Sequence, residues 1–230
     1  MDQSNDNKTK SGVVAAVMVI GLLVGGGIGY VTGTGKDNNG NSAKSSSIAP
    51  ATDTKAAGLR VVLNNLEAQH VDLASAATRA GFDGSPMFEA SAGALDQNSV
   101  ALSKAIGSVY GAEAETKFLE IWRSHITFFV NYTVAAKGGD KAGMDKAVSD
   151  LNGYVSAISD LLGGATGLPK DAVASLITEH VGLLKSTVDK HGAGDYAGSY
   201  AAQQQTRDQI TTKIADTLAG AIVKQNPGKF

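Results

Sequence analysis

The chain has 230 residues, a formal net charge of −2 and no cysteine. Without thiols there are no disulfides, thiolate metal sites, iron–sulfur ligands or Cys nucleophiles, and charges of both signs interspersed along the chain leave no basic footprint for nucleic acid. Once the compositionally distinct N-terminal stretch is set aside, about 170 residues remain, enough to bury roughly two thirds of their unfolded surface in one core.

The first element follows a short polar tail, residues 1–11. Residues 11–35 carry no charge, and residues 13–31 are almost entirely Val, Ile, Leu, Met, Ala and Gly, long enough to cross a ~30 Å hydrocarbon layer as a helix. This predicts a transmembrane anchor over residues 12–33. A cleaved leader would have a shorter apolar run ending near a small-residue site, and the nearest such site, Ala49-Pro50-Ala51, lies too far downstream. Lys8 and Lys10 before the span are balanced by Lys36 and Lys44 after it, so orientation rests on the brief leader, which predicts an extracytoplasmic C-terminal domain at the cell membrane. Gly21, Gly25, Gly29 and Gly33 recur every four residues and offer a bare stripe for self-association of the anchor. Residues 34–56, rich in Gly, Asn, Ser, Thr and Lys, read as a flexible linker holding the domain some tens of Å from the bilayer.

Residues 57–230 contain a repeat. His70, His125 and His180 are evenly spaced by 55 residues, in the matching contexts Leu66-(three residues)-His70-Val71, Ile121-(three residues)-His125-Ile126 and Leu176-(three residues)-His180-Val181. Fifteen residues after each His stand Ser85, Asp140 and Asp195, all favoured helix N-cap types; Pro86 then suits a first helical position. Glycines before each cap fit the end of a preceding helix. The unit therefore reads as helix, Gly-rich turn, capped helix. Three units predict six helices, 57–80, 86–109, 112–136, 141–163, 169–190 and 196–223, in an all-α domain of three antiparallel hairpins. In the first helix of each unit the apolar positions follow a three–four spacing that puts each His on the buried seam.

Those three histidines are the constellation that could carry chemistry, as ligands for copper, zinc or haem. If the units wrap a common axis the imidazoles converge; if they stack side by side, no shared site forms. The preferred account is plainer, a hydrogen-bonded core polar group retained by repeat ancestry, with no cofactor. There is no H-E-x-x-H, and the paired Glu-x-x-His of di-iron bundles is missing. His191 falls in a turn, where it could cap a helix end. Phe118, Trp122, Phe128 and Tyr132 cluster aromatics around His125 and mark the place for a small-molecule pocket. Carboxylates such as Glu113, Glu115 and Glu120 read as solvated surface, and no nucleophile elbow or phosphate loop is present.

The stretch Phe118-Leu119-Glu120-Ile121-Trp122-(two residues)-His125, with Tyr132-Thr133 and Gly139-Asp140, and the stretch Gly167-Leu168-Pro169-Lys170-Asp171-Ala172-Val173, with His180-Val181, Gly194-Asp195 and Ala221-Ile222-Val223-Lys224-Gln225-Asn226-Pro227, resemble uncharacterised helical-repeat proteins of bacterial cell envelopes. The likeness spans residues 115–230. This chain has Thr206-Arg207 and Gln209 where that pattern tends to carry His-Met, which weighs against metal binding. The resemblance implies fold and surface location and brings no activity. The expectation is a membrane-anchored, outward-facing, non-enzymatic interaction or structural module with a protein or cell-wall partner; the alternative is a metal- or haem-binding domain using His70, His125 and His180.

Overall fold

A computed structural model describes residues 51–230. By its contacts the chain divides into two units, Met1–Ser46 and Ser47–Phe230. The expected tail, anchor, glycine stripe and most of the linker lie outside the described residues. Among the described residues no helix is long and apolar enough to cross a membrane.

The described residues are helical, with no strand among them. A 3-10 turn, Ala51–Asp53, leads into α1 (Lys55–Asp83), α2 (Phe88–Tyr110), α3 (Ala112–Gly138), α4 (Lys141–Thr166), α5 (Lys170–Gly192) and α6 (Tyr196–Gln209), which runs through a π-helical segment, Ile210–Ala215, into α7 (Asp216–Gln225). The sequence expectation of one helix over 196–223 misses that π turn. Its local cause is legible in the side chains: Thr211 donates its hydroxyl to the Arg207 carbonyl at 2.9 Å and Thr212 to the Asp208 carbonyl at 2.6 Å. Such back-bonding competes for carbonyls of the helical ladder and bends it. The widened turn buries Ile210, Ile214 and Ala215 together.

Helix ends follow from the chain's polar and glycine residues. Asp140 accepts from the Gly143 amide at 3.0 Å and Asp195 from the Gly198 amide at 2.8 Å, each taking up one of the N–H groups a helix start leaves free. Ser85 does not cap α2 as expected. Its amide donates to the Ala80 carbonyl, closing the end of α1 around Gly84 in the left-handed region, and its hydroxyl accepts from the Met87 amide. The Phe88 amide then donates to the Ser85 carbonyl, so α2 starts two residues later than expected, behind a Met87 that offers no side-chain cap. Between α2 and α3 a single residue, Gly111, ends one helix and starts the next at φ 92°, a conformation that favours glycine.

The six long helices close into a bundle. Consecutive helices pack along their lengths, while α1, α3 and α5 also pack on one another and α1 further touches α6, the π segment and α7. Much of the buried face of α1 is small, including Ala68, Ala74, Ser75, Ala77 and Ala80, which lets it sit among several neighbours. The apolar core comes in three clusters along the bundle. One contains Leu102, Phe118, Trp122, Ile158, Ile177 and Ile210. A second joins Ala74, Leu95, Phe129, Leu151 and Leu184, and a third joins Tyr132, Ala147 and Val188.

The caps give a direct check. Asp140→Ala should cost about 1 kcal/mol and Ser85→Ala less than half of that, read as shifts in urea midpoint at unchanged m-value. Equal losses would mean that Ser85 does cap α2.

Candidate functional site

Each repeated histidine occupies the same place on its helix, between the first core cluster and the second. On α1, His70 lies between Leu63 and Ala74; on α3, His125 lies between Trp122 and Phe129; on α5, His180 lies between Ile177 and Leu184. Since α1, α3 and α5 pack against one another, the three rings meet in a polar layer inside the apolar core. They are 0%, 2% and 5% exposed. The His70 and His125 Nε2 atoms are 3.4 Å apart, and the His70 and His180 ring centroids 6.2 Å apart. Trp122 packs on both His70 and His125, at 4.9 and 4.8 Å between centroids, and Tyr154 of α4 lies 4.5 Å from His125.

Burial sets the charge state of this layer. Desolvation holds His70 well below the ordinary histidine value, with the neighbouring imidazoles His125 and His180 adding to it. Desolvation takes His125 down to about 3, with His180 contributing and the Trp122 carbonyl opposing. His180 falls to about 4 for the same first reason, with Gln209 opposing. All three are therefore neutral at pH 7 and carry an in-plane lone pair each, the form in which imidazole binds a metal. Gln209 donates its amide to the Leu176 carbonyl at 2.9 Å. It stands beside His180, yet neither ring nitrogen of His180 has a partner of hydrogen-bond geometry.

A fourth titratable group shares the layer. Glu67, one turn before His70 on α1, is 4% exposed, its Oε2 has no partner, and burial alone pushes its carboxyl up to about 8. Burial also raises the Tyr154 hydroxyl, with Glu67 as the second cause. Glu67, Trp122, Tyr154 and His180 border a cavity of about 20 Å³ walled otherwise by Leu, Ile and Phe side chains, room for about one water-sized occupant. Glu67 Oε2, Trp122 Nε1 and both His180 nitrogens have no partner of hydrogen-bond geometry, and all three residues border this cavity, where native interiors leave few such atoms. As placed, no group of three His, Cys, Asp or Glu among the described residues surrounds one point closely enough to hold a metal ion.

The expected aromatic pocket does not form as a unit. Phe118 and Trp122 border the cavity. Tyr132, ten residues along α3 from Trp122 and so about 15 Å away, packs in the third cluster instead and donates its hydroxyl to Asp189 at 2.6 Å. Phe128 is only partly buried, against the first two clusters. Haem is corrected too, because cofactor pockets run to several hundred Å³ and this cavity is a small fraction of that. His191 belongs to the last turn of α5, where its Nε2 meets Asp83 Oδ1 at 2.8 Å and its ring packs on Phe82 and Tyr196, tying α5 to the end of α1. Sequence reasoning missed Glu67 and Tyr154. The signal for Glu67 was available: three residues before His70 is the same helix face.

The charge states predict how metal-free protein responds to pH. Glu67 is raised when folded, so between about 4.5 and 8 the unfolded chain ionises and the folded one does not, and stability falls as pH rises through that window. The histidines are lowered when folded, so stability falls as pH drops below about 6.5. Glu67→Gln should therefore stabilise the chelator-treated protein at pH 7 to 8, on the order of 2 kcal/mol, with little effect at pH 4, by denaturant titration at each pH. An equal effect at both pH values would show that Glu67 is ionised in the fold.

No family model matches this chain, and no curated protein or solved structure matches it, so the functional reading rests on the geometry of the layer itself.

Proposed function

We propose that this chain is a membrane-anchored, non-enzymatic module of the cell envelope, whose outward-facing helical domain binds one transition-metal ion at His70, His125 and His180. The observation that carries the reading is the meeting of three neutral imidazoles inside the core, two of them with Nε2 atoms 3.4 Å apart, a contact that in the metal-free protein is a hydrogen bond from one ring's N–H to the other's lone pair. Two nitrogens on a tetrahedral ion at 2.0–2.1 Å stand about 3.3 to 3.4 Å from each other. His180, whose ring nitrogens have no partner of hydrogen-bond geometry, would supply the third donor; as placed, the three rings do not surround one point closely enough to hold an ion, so its capture would require them to rotate. The anchor over residues 12–33 and the linker over 34–56 are the sequence grounds for the membrane and envelope assignment, together with the resemblance of residues 115–230. The three hairpins of the 55-residue repeat bring one ligand each.

The competing interaction-module reading treats the three histidines as core residues only. It has to account for a buried His180 whose ring nitrogens meet no partner of full hydrogen-bond geometry although Gln209 lies close enough to raise its pKa, at a cost of up to roughly 1–3 kcal/mol for an unsatisfied group.

Calorimetric titration of the full-length chain in detergent micelles, stripped with chelator, should give one equivalent of Zn²⁺ or Cu²⁺ bound. Binding should disappear in the His70, His125 and His180 to Ala variant that keeps its helical circular dichroism. A folded wild-type chain that takes up neither ion would return the histidines to the core and the search to protein or wall partners.

A further inference from the structure

We infer that the cavity beside the histidine layer is a binding site for a single water molecule, held by Glu67, Trp122 and His180, which joins the three helical hairpins through one shared hydrogen-bonded centre. The inference goes beyond the metal-binding reading and stands whether or not the histidines take an ion.

The repeat itself places the site. Three residues before His70, His125 and His180 stand Glu67, Trp122 and Ile177, each on the same helix face as its histidine, and all three border the cavity. Because α1, α3 and α5 pack on one another, equivalent positions of the three units surround one space. Leu63 and Phe118, four residues before Glu67 and Trp122, close its wall. The units differ at the shared position, which holds an acid, an indole and an aliphatic chain in turn. Ile177 leaves the α5 side apolar, and the polar contribution from that helix comes from His180, which borders the cavity as well.

The polar atoms require an occupant that both donates and accepts. Glu67 Oε2, Trp122 Nε1 and both His180 nitrogens are enclosed without a partner of hydrogen-bond geometry. The indole Nε1 can only donate. Gln209 opposes the lowering of His180, the effect of an acceptor beside an imidazole N–H, so the other ring nitrogen carries the lone pair. A water that accepts from Trp122 and donates to Glu67 Oε2 and to that lone pair makes three bonds, the usual number for a buried water. A cavity of about 20 Å³ has room for about one such molecule. Glu67 is held neutral by burial, so its partner there brings no charge. A metal ion suits the cavity less well, because Glu67 and His180 are the only His, Cys, Asp or Glu side chains bordering it. A cavity walled by aliphatic groups alone would stay dry, whereas this one carries polar atoms from α1, α3 and α5.

The test uses the full-length, chelator-treated chain in detergent micelles. Trp122 is the one tryptophan of the chain, so indole signals report on this site alone. Oxygen-17 relaxation dispersion of the wild type should show one long-lived water that is missing from Glu67→Met, whose apolar side chain of similar length fills the cavity. The fluorescence emission of Trp122 should shift to the blue in the same variant as the indole loses its acceptor. Glu67→Gln keeps an acceptor oxygen and should retain both the water and the wild-type emission. In wild type labelled with nitrogen-15 tryptophan, the indole proton should give a cross-peak to the water resonance, a readout that needs no variant. A folded wild type without that cross-peak would overturn the inference. So would equal numbers of long-lived waters in wild type and in a Glu67→Met variant that keeps its helical circular dichroism.

Discussion

A layer of imidazoles and one carboxyl buried between two apolar clusters is the constraint around which the rest of this domain is arranged. Taking such groups out of water is tolerable only in their neutral forms or with a partner of opposite charge, and desolvation accordingly holds all three histidines and Glu67 uncharged. Their neutrality leaves nitrogens and an oxygen available for hydrogen bonding. A core filled with leucine in these positions would carry no such polar groups to desolvate. The stability given up there is offset by the apolar clusters on either side, where Leu102, Ile158, Leu184 and Ile210 are almost wholly enclosed.

Small residues make the convergence geometrically possible. α1 presents alanine and serine to its neighbours, so α3 and α5 approach it closely enough for rings from three helices to meet. Gly111 serves as the whole connection between α2 and α3, and the left-handed glycines Gly84 and Gly139 end α1 and α3 without a long loop. Short connections hold the hairpins in register, and register is what keeps His70, His125 and His180 at one height along the bundle. The π turn of Ile210–Ala215 belongs to the same arrangement. It packs Ile210 and Ile214 against the cavity, directly after the Gln209 that stands beside His180.

This arrangement separates the unpaired polar groups from the surface. The exposed charges form pairs of modest energetic weight, such as Arg123 with Asp96 and Lys213 with Glu179, while the polar groups without partners lie inside.

Much of the helical plan was legible from residue order. The 55-residue spacing of the histidines, the N-cap aspartates Asp140 and Asp195, and the three–four spacing of apolar residues located each long helix to within a few residues, because caps and periodicity act over one or two turns and need no distant partner. Local signals misled at Ser85-Pro86, where the chain used the serine to close a turn, and along 196–223, where threonine hydroxyls and packing of isoleucines opened a π turn. The tertiary structure alone decided whether three seams faced one another. A seam histidine looks the same in a closed bundle and in an open array, since periodicity fixes the face of a helix and says nothing of what that face meets. For the same reason Glu67 passed as one more carboxylate: its sequence neighbours are those of a half-exposed helix, and only the approach of α3, α5 and the π segment to α1 turned its side chain into a buried acid beside the same cavity as His180.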